Sequence, residues 1–112
     1  MTPLKLIETS PGSFSLLLNA GTTQVDALVE QHGHEPNGYF WEGVARFLVT
    51  TEAPSLEGRF SYDPEAGMFC AYGRDRPALE ELATLLAPTT TTPTRMTTLL
   101  KAAQAANHDF DD

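Results

Sequence analysis

Two imidazoles and a carboxylate fall within four residues at His32-Gly33-His34-Glu35, and these are donor types that suit Zn²⁺. A working metal site needs more ligands at a recognisable spacing. The third histidine, His108, lies far along the chain, and neither a Cys-x-x-Cys nor a His-Glu-x-x-His pattern is present. The pair therefore reads as surface or helix-capping groups, with a small metal-dependent or hydrolytic enzyme using His32, His34 and Glu35 as the alternative. Cys70 sits among apolar neighbours, where cysteine acts as a small hydrophobe, whereas a reactive thiolate wants an electropositive or helix-start setting. No serine occupies a Gly-x-Ser-x-Gly turn, and no glycine-rich phosphate loop occurs. Glu35 and Glu42 are of the right type for paired-carboxylate glycosidic chemistry, but a chain with 15 acidic residues offers such pairs by chance. The expectation is a protein with no catalytic residues, no metal and no cofactor.

The charge balance points to partners instead. At a net charge of −8, the chain would be repelled by nucleic-acid phosphates and steered towards a basic partner. Solubility alone is the plainer explanation of that charge. Between Asp26 and Glu65 there are eight acids against two bases, Arg46 and Arg59, and the last four residues add three acids around Phe110. Tyr39-Phe40-Trp41 supplies aromatic anchors of the kind that dominate interfaces. A helix cannot bury three consecutive side chains equally, so at least one of them is expected to be exposed.

The elements that hold these residues follow from periodicity. Leu4–Glu8 and Ser13–Asn19 read as two strands joined at Ser10-Pro11-Gly12, a turn signal. Phe14, Leu16, Leu18 and Ala20 line the buried face of the second strand, and Leu17 implies partial cover on the other. Thr23-Gln24-Val25-Asp26 resembles a capping box for a short helix with Val25, Leu28, Val29 and His32 in one stripe and Gly33 beyond its end. His34–Gly38 must be irregular around Pro36, with Asn37-Gly38 as a turn pair. Phe40–Val49 then reads as a buried helix. Gly43 inside it costs about 1 kcal/mol, which close approach of a neighbouring element would explain, and Glu42 and Arg46 can pair at i, i+4. Arg59–Asp63 and Met68–Tyr72 form a second hairpin, with Phe69 and Ala71 facing away from Met68, Cys70 and Tyr72. Its turn, Asp63–Gly67, suits type I geometry with Gly67 in the left-handed position. Asp75 caps a third helix with Pro77 in its first turn and Leu79, Leu82, Ala83 and Leu86 as its stripe. Pro88 ends that helix, Thr89–Thr92 is a low-complexity linker, and Thr92 and Pro93 start a final helix bearing Met96, Leu99, Leu100 and Ala103. The acidic tail, about 107–112, is expected to fray.

The order is thus ββαα-ββαα. The simplest fold is α+β, a four-stranded, mainly antiparallel sheet with about four helices packed on it; the strand order is left open. Residues 1–112 have the length of one domain. The N-terminus lacks a signal-peptide pattern, no apolar run approaches the ~20 residues of a membrane span, and a single cysteine fits a reducing compartment.

The block His32–Ala45 (HGHEPNGYFWEGVA), followed by Phe60–Gly73 (FSYDPEAGMFCAYG), resembles the Immunity protein 51 family of bacterial polymorphic toxin systems. The resemblance runs from the first hairpin to the third helix and leaves out Thr89–Thr92 and the tail. It implies an α+β cytoplasmic protein without catalytic activity that binds and neutralises a cognate toxin. With the charge pattern, the expected mechanism is occlusion of a basic toxin surface. The expected partner-binding residues are Glu35, Asn37, Tyr39, Trp41, Glu42 and Glu65, with neither nucleic acid nor membrane as a partner. A general protein-interaction module is the remaining alternative.

Overall fold

The computed structural model describes residues 3–110. Strands β1 (Leu4–Ser10) and β2 (Ser13–Asn19) lead into helices α1 (Asp26–Gln31) and α2 (Gly38–Glu52). A 3₁₀ turn at Pro54–Leu56 precedes β3 (Ser61–Tyr62), β4 (Met68–Gly73), α3 (Arg76–Thr91) and α4 (Pro93–Ala105). This is the expected ββαα-ββαα order of an α+β protein. The four strands form one antiparallel sheet in the order β1-β2-β4-β3, so the two hairpins join through their second strands.

Because side chains alternate across a strand, the register assigns each face. Leu16 and Leu18 of β2 and Phe69 and Ala71 of β4 point to the helices and are buried. They meet Phe40, Trp41, Val44 and Leu48 of α2, Leu79, Leu82 and Leu86 of α3, and Met96, Leu99 and Leu100 of α4 in one continuous core. The opposite face carries Lys5, Ile7, Leu17, Cys70 and Tyr72 in register. Ile7 is 37% and Tyr72 44% exposed, so no further layer seals this face. Leu17, half-buried as expected, is sheltered by its cross-strand neighbours Lys5 and Cys70. Burial also raises the Cys70 thiol pKa above its ordinary value, with Asp63 adding to the effect.

The structure corrects several expectations. Thr23 does not cap α1 reciprocally: the helix begins only at Asp26, whose carboxylate accepts directly from the Thr23 hydroxyl. Helix α2 starts two residues earlier than periodicity indicates, because the Asn37 side chain accepts from Phe40 N at 2.8 Å and so draws Gly38 and Tyr39 into the first turn. Strand β3 shrinks to two residues. The hairpin closes between Glu65 and Met68, which exchange backbone bonds of 2.8 and 3.1 Å, so Ala66 and Gly67 form its tip and Gly67 does not need the left-handed region.

Pro88 does not end α3. The helix runs on to Thr91: Pro88 removes only the donor to the carbonyl one turn before it, and Thr92 N still donates to Pro88 O at 2.9 Å, while Thr89 Oγ1 donates to Leu86 O at 2.6 Å and Thr90 Oγ1 to Ala87 O at 2.8 Å. Both are buried, and Thr90 O accepts from Gln24 N at 3.2 Å. The first half of the supposed linker is therefore core, and Thr92 is its exposed end. Thr92 and Pro93 do begin α4, although the Thr92 side chain makes no capping bond. The tail up to Phe110 docks instead of fraying: Phe110 is 2% exposed, and His108 Nε2 donates to Gly43 O at 2.8 Å.

Candidate functional site

The loop 32–37, the first turn of α2 and the tip of the β3–β4 hairpin meet at one end of the sheet. Gly38 makes that junction possible. Its N–H donates to Ala66 O at 3.0 Å, and a methyl group in its place would stand 1.9 Å from Glu65 O and 2.3 Å from Met68 O. Only glycine lets two backbones approach this closely. Ala20 N donates to Gly67 O at 3.0 Å, so the end of the first hairpin is tied to the same tip.

Around this junction lies a shallow cleft of about 260 Å³, lined by Ala20, Gly21, Glu30, Glu35, Pro36, Asn37 and Ala66. Glu30 and Glu35 are exposed on it, as is Glu65 beside the tip, and Tyr39 stands 42% exposed on the first turn of α2. Asn37 is 8% exposed and belongs to the frame, since it caps α2 through Oδ1 and donates through Nδ2 to Glu35 Oε2 at 3.3 Å.

Of the six residues named from sequence, Glu35, Tyr39 and Glu65 are thus exposed at one end. Trp41 is fully buried in the core, and its Nε1 finds no acceptor among the described residues. Tyr39 is the exposed member of the aromatic trio. Glu42 lies one turn further along α2 and is paired with Arg46 at 2.6 Å. That hydrogen bond raises the Arg46 pKa further, and the Arg46 guanidinium lies 4.6 Å above the Tyr62 ring. Burial pushes the Tyr62 phenol up to about 12 against the opposing pull of Arg46.

The histidines gather elsewhere. His32, His34 and His108 line a cavity of about 270 Å³ together with Leu100, Gln104 and Phe110. Two of the rings are held by backbone: His32 Nδ1 lies 3.0 Å from Leu28 O, and His108 Nε2 donates to Gly43 O. His34 packs against Phe40 and edge-on against Phe110 at 5.0 Å. Among the described residues no group of three or more His, Cys, Asp or Glu is placed to hold a metal ion. Sequence reasoning missed the docking of His108 and Phe110 against α2. Its one signal was Gly43: a methyl group there would lie 2.7 Å from Phe110 Cα, so the glycine marks the close approach that its helical cost implied.

The fold and this end define a two-layer α+β protein with an acidic, aromatic-edged corner, and no helix among the described residues is long and apolar enough to cross a membrane. The model of the Immunity protein 51 family matches residues 4–105, and the chain belongs to that family. Its members are immunity proteins, in general not enzymes, and the family implies a toxin as partner. No curated protein and no solved structure matches the chain.

Proposed function

We propose that this protein binds and neutralises a cognate toxin by covering a basic toxin surface with the corner formed by Glu30, Glu35, Tyr39 and Glu65. The observation that carries the reading is that Glu30 and Glu35 line one cleft of a member of an immunity family, beside a backbone junction at Gly38 whose neighbours, Tyr39 and the hairpin residues Glu65 and Ala66, are exposed. Preorganised carboxylates steer a basic partner into contact and exclude wrong ones, and an exposed tyrosine supplies contact area at low entropic cost. A nuclease, whose own site must attract phosphate, presents the kind of surface this corner fits. Glu42 belongs to the margin of the corner, where its pairing with Arg46 limits its reach. The proposed setting is the cytoplasm of a bacterium carrying a polymorphic toxin system, with neither nucleic acid nor membrane as a partner and no catalysis by this chain.

The test is binding to the toxin domain encoded beside this gene. Glu35→Lys should weaken binding about tenfold, mainly through slower association, while the circular dichroism and melting temperature stay those of the wild type. Glu42→Gln, which does not set a new cation against Arg46, should have a smaller effect. Unchanged affinity in Glu35→Lys and Tyr39→Ala together removes this corner from the interface.

A further inference from the structure

The face of the sheet turned away from the helices has a self-complementary pattern. Its cross-strand rows, read from β1 to β3, are Lys5-Leu17-Cys70-Asp63 and Ile7-Ser15-Tyr72-Ser61; Asp63 continues the register because its N–H donates to Cys70 O at 3.0 Å. Two of the three exposed large hydrophobics among the described residues, Ile7 and Tyr72, lie here. The charged residues here are Lys5 on the β1 margin, Asp63 and, through its bridge to Met68, Glu65 on the β3 margin, and Arg74 just beyond the end of β4, which lines a hollow with Thr9, Ser13, Ser15 and Tyr72. Along the Lys5-Leu17-Cys70-Asp63 row opposite signs therefore occupy opposite margins, with an uncharged centre between them.

We propose that this face is the interface of a homodimer with its two-fold axis parallel to the strands. Such an axis exchanges β1 with β3 and β2 with β4 between the facing sheets. Lys5 then meets Asp63 of the second copy, Leu17 meets Cys70, Tyr72 lies over Ser15, and Ile7 over Ser61. In these two rows each large side chain faces a smaller one, and the Lys5–Asp63 pair forms twice, as an isologous contact requires. Facing sheets with aligned strands are a standard packing. On a chain of net charge −8, a second copy can approach without like-charge repulsion only where carboxylates are sparse or matched by a cation. The sheet face measures roughly 20 Å on each side, about 800 Å² in all over the two copies, which places the dimer among weak, transient associations and makes it dependent on concentration. Glu65 borders both this face and the toxin corner, but Lys5 and Asp63 belong to this face alone and are tested without toxin, so the two readings fail separately.

Sedimentation of the full chain alone should show a 12.2 kDa species giving way to one of twice that mass as concentration rises. Lys5→Glu and Asp63→Lys, both at exposed positions, should each weaken dimerisation about tenfold, because each change acts twice across the two-fold. The double exchange Lys5→Glu with Asp63→Lys should restore it. A monomer at every concentration up to about 1 mM overturns the proposal. So does a dimer whose strength the single reversals leave unchanged, which would place the contact elsewhere, such as the β1 edge. Loss in both single variants without recovery in the double exchange also overturns it.

Discussion

Asp75 serves two partners at once. Its Oδ1 accepts from Ala78 N at 3.2 Å as the N-cap of α3, and its Oδ2 accepts from Arg59 Nε at 2.9 Å. The Arg59 bond, then the Ala78 bond, hold the carboxyl below its ordinary pKa. Since the folded pKa is depressed, the stabilisation is complete above the ordinary carboxylate range and is lost as pH falls through the folded value. Asp75→Asn keeps an oxygen for the cap and removes the ion pair. The melting temperature of the wild type should therefore exceed that of Asp75→Asn by a constant margin near neutrality, and the margin should close on acidification. A pH-independent margin would show that the charge contributes nothing. The cap itself was legible in the sequence, because Asp before a first-turn proline is a local signal. The ion pair was not, because it joins residues brought together only by the fold.

At the scale of elements, α2 is the helix on which the rest converges. Its two internal glycines are each occupied by another segment: the hairpin tip at Gly38 and the tail at Gly43. Phe110 packs 5.0 Å from the Phe40 ring, so Phe110→Ala should cost about 3 kcal/mol. Gly43→Ala should destabilise the full chain by pushing Phe110 out, yet in the Phe110→Ala background it should be neutral or stabilising by up to about 1 kcal/mol, the helix-propensity gain. Denaturant unfolding of the four proteins measures the coupling; additive effects would mean that Gly43 and Phe110 do not compete for space. The strands, the stripes of α3 and α4 and the order ββαα-ββαα were readable from period and turn chemistry. Three things were not. Helix α3 continues past Pro88 through Thr89 and Thr90, which are buried although their composition resembles a linker. The short β3 reflects a hairpin that closes at Glu65. The docked tail looks like an acidic end until Gly43 is matched with Phe110. In each case tertiary contact overrode a correct local tendency.

At the scale of the whole molecule, the surface divides by character. One end carries exposed carboxylates and Tyr39 around a fixed backbone junction, and the outer sheet face carries apolar side chains between opposite charges. The acidic balance was plain in the composition, but its distribution was not. Of the residues named in advance, Glu35, Tyr39 and Glu65 reach the surface at one end, while Trp41 and Asn37 are consumed in building it. Aromatic and amide side chains serve frame and interface equally well, so residue type alone could not sort them.

The strand order has a consequence for how the chain becomes a folded object. The sheet is two hairpins clasped along β2 and β4. Each hairpin leaves its apolar residues open until the other arrives: Leu16 and Leu18 on one side, Phe69 and Ala71 on the other. Cleaving the connection at Pro54–Leu56 would give two ββαα fragments, each a half-built lock. Neither should show the fixed near-ultraviolet signal of Trp41 or a cooperative melt alone, and mixing them in equal amounts should restore both. A fragment that melts cooperatively by itself would mean that one half is an autonomous folding unit and the other an attachment to it.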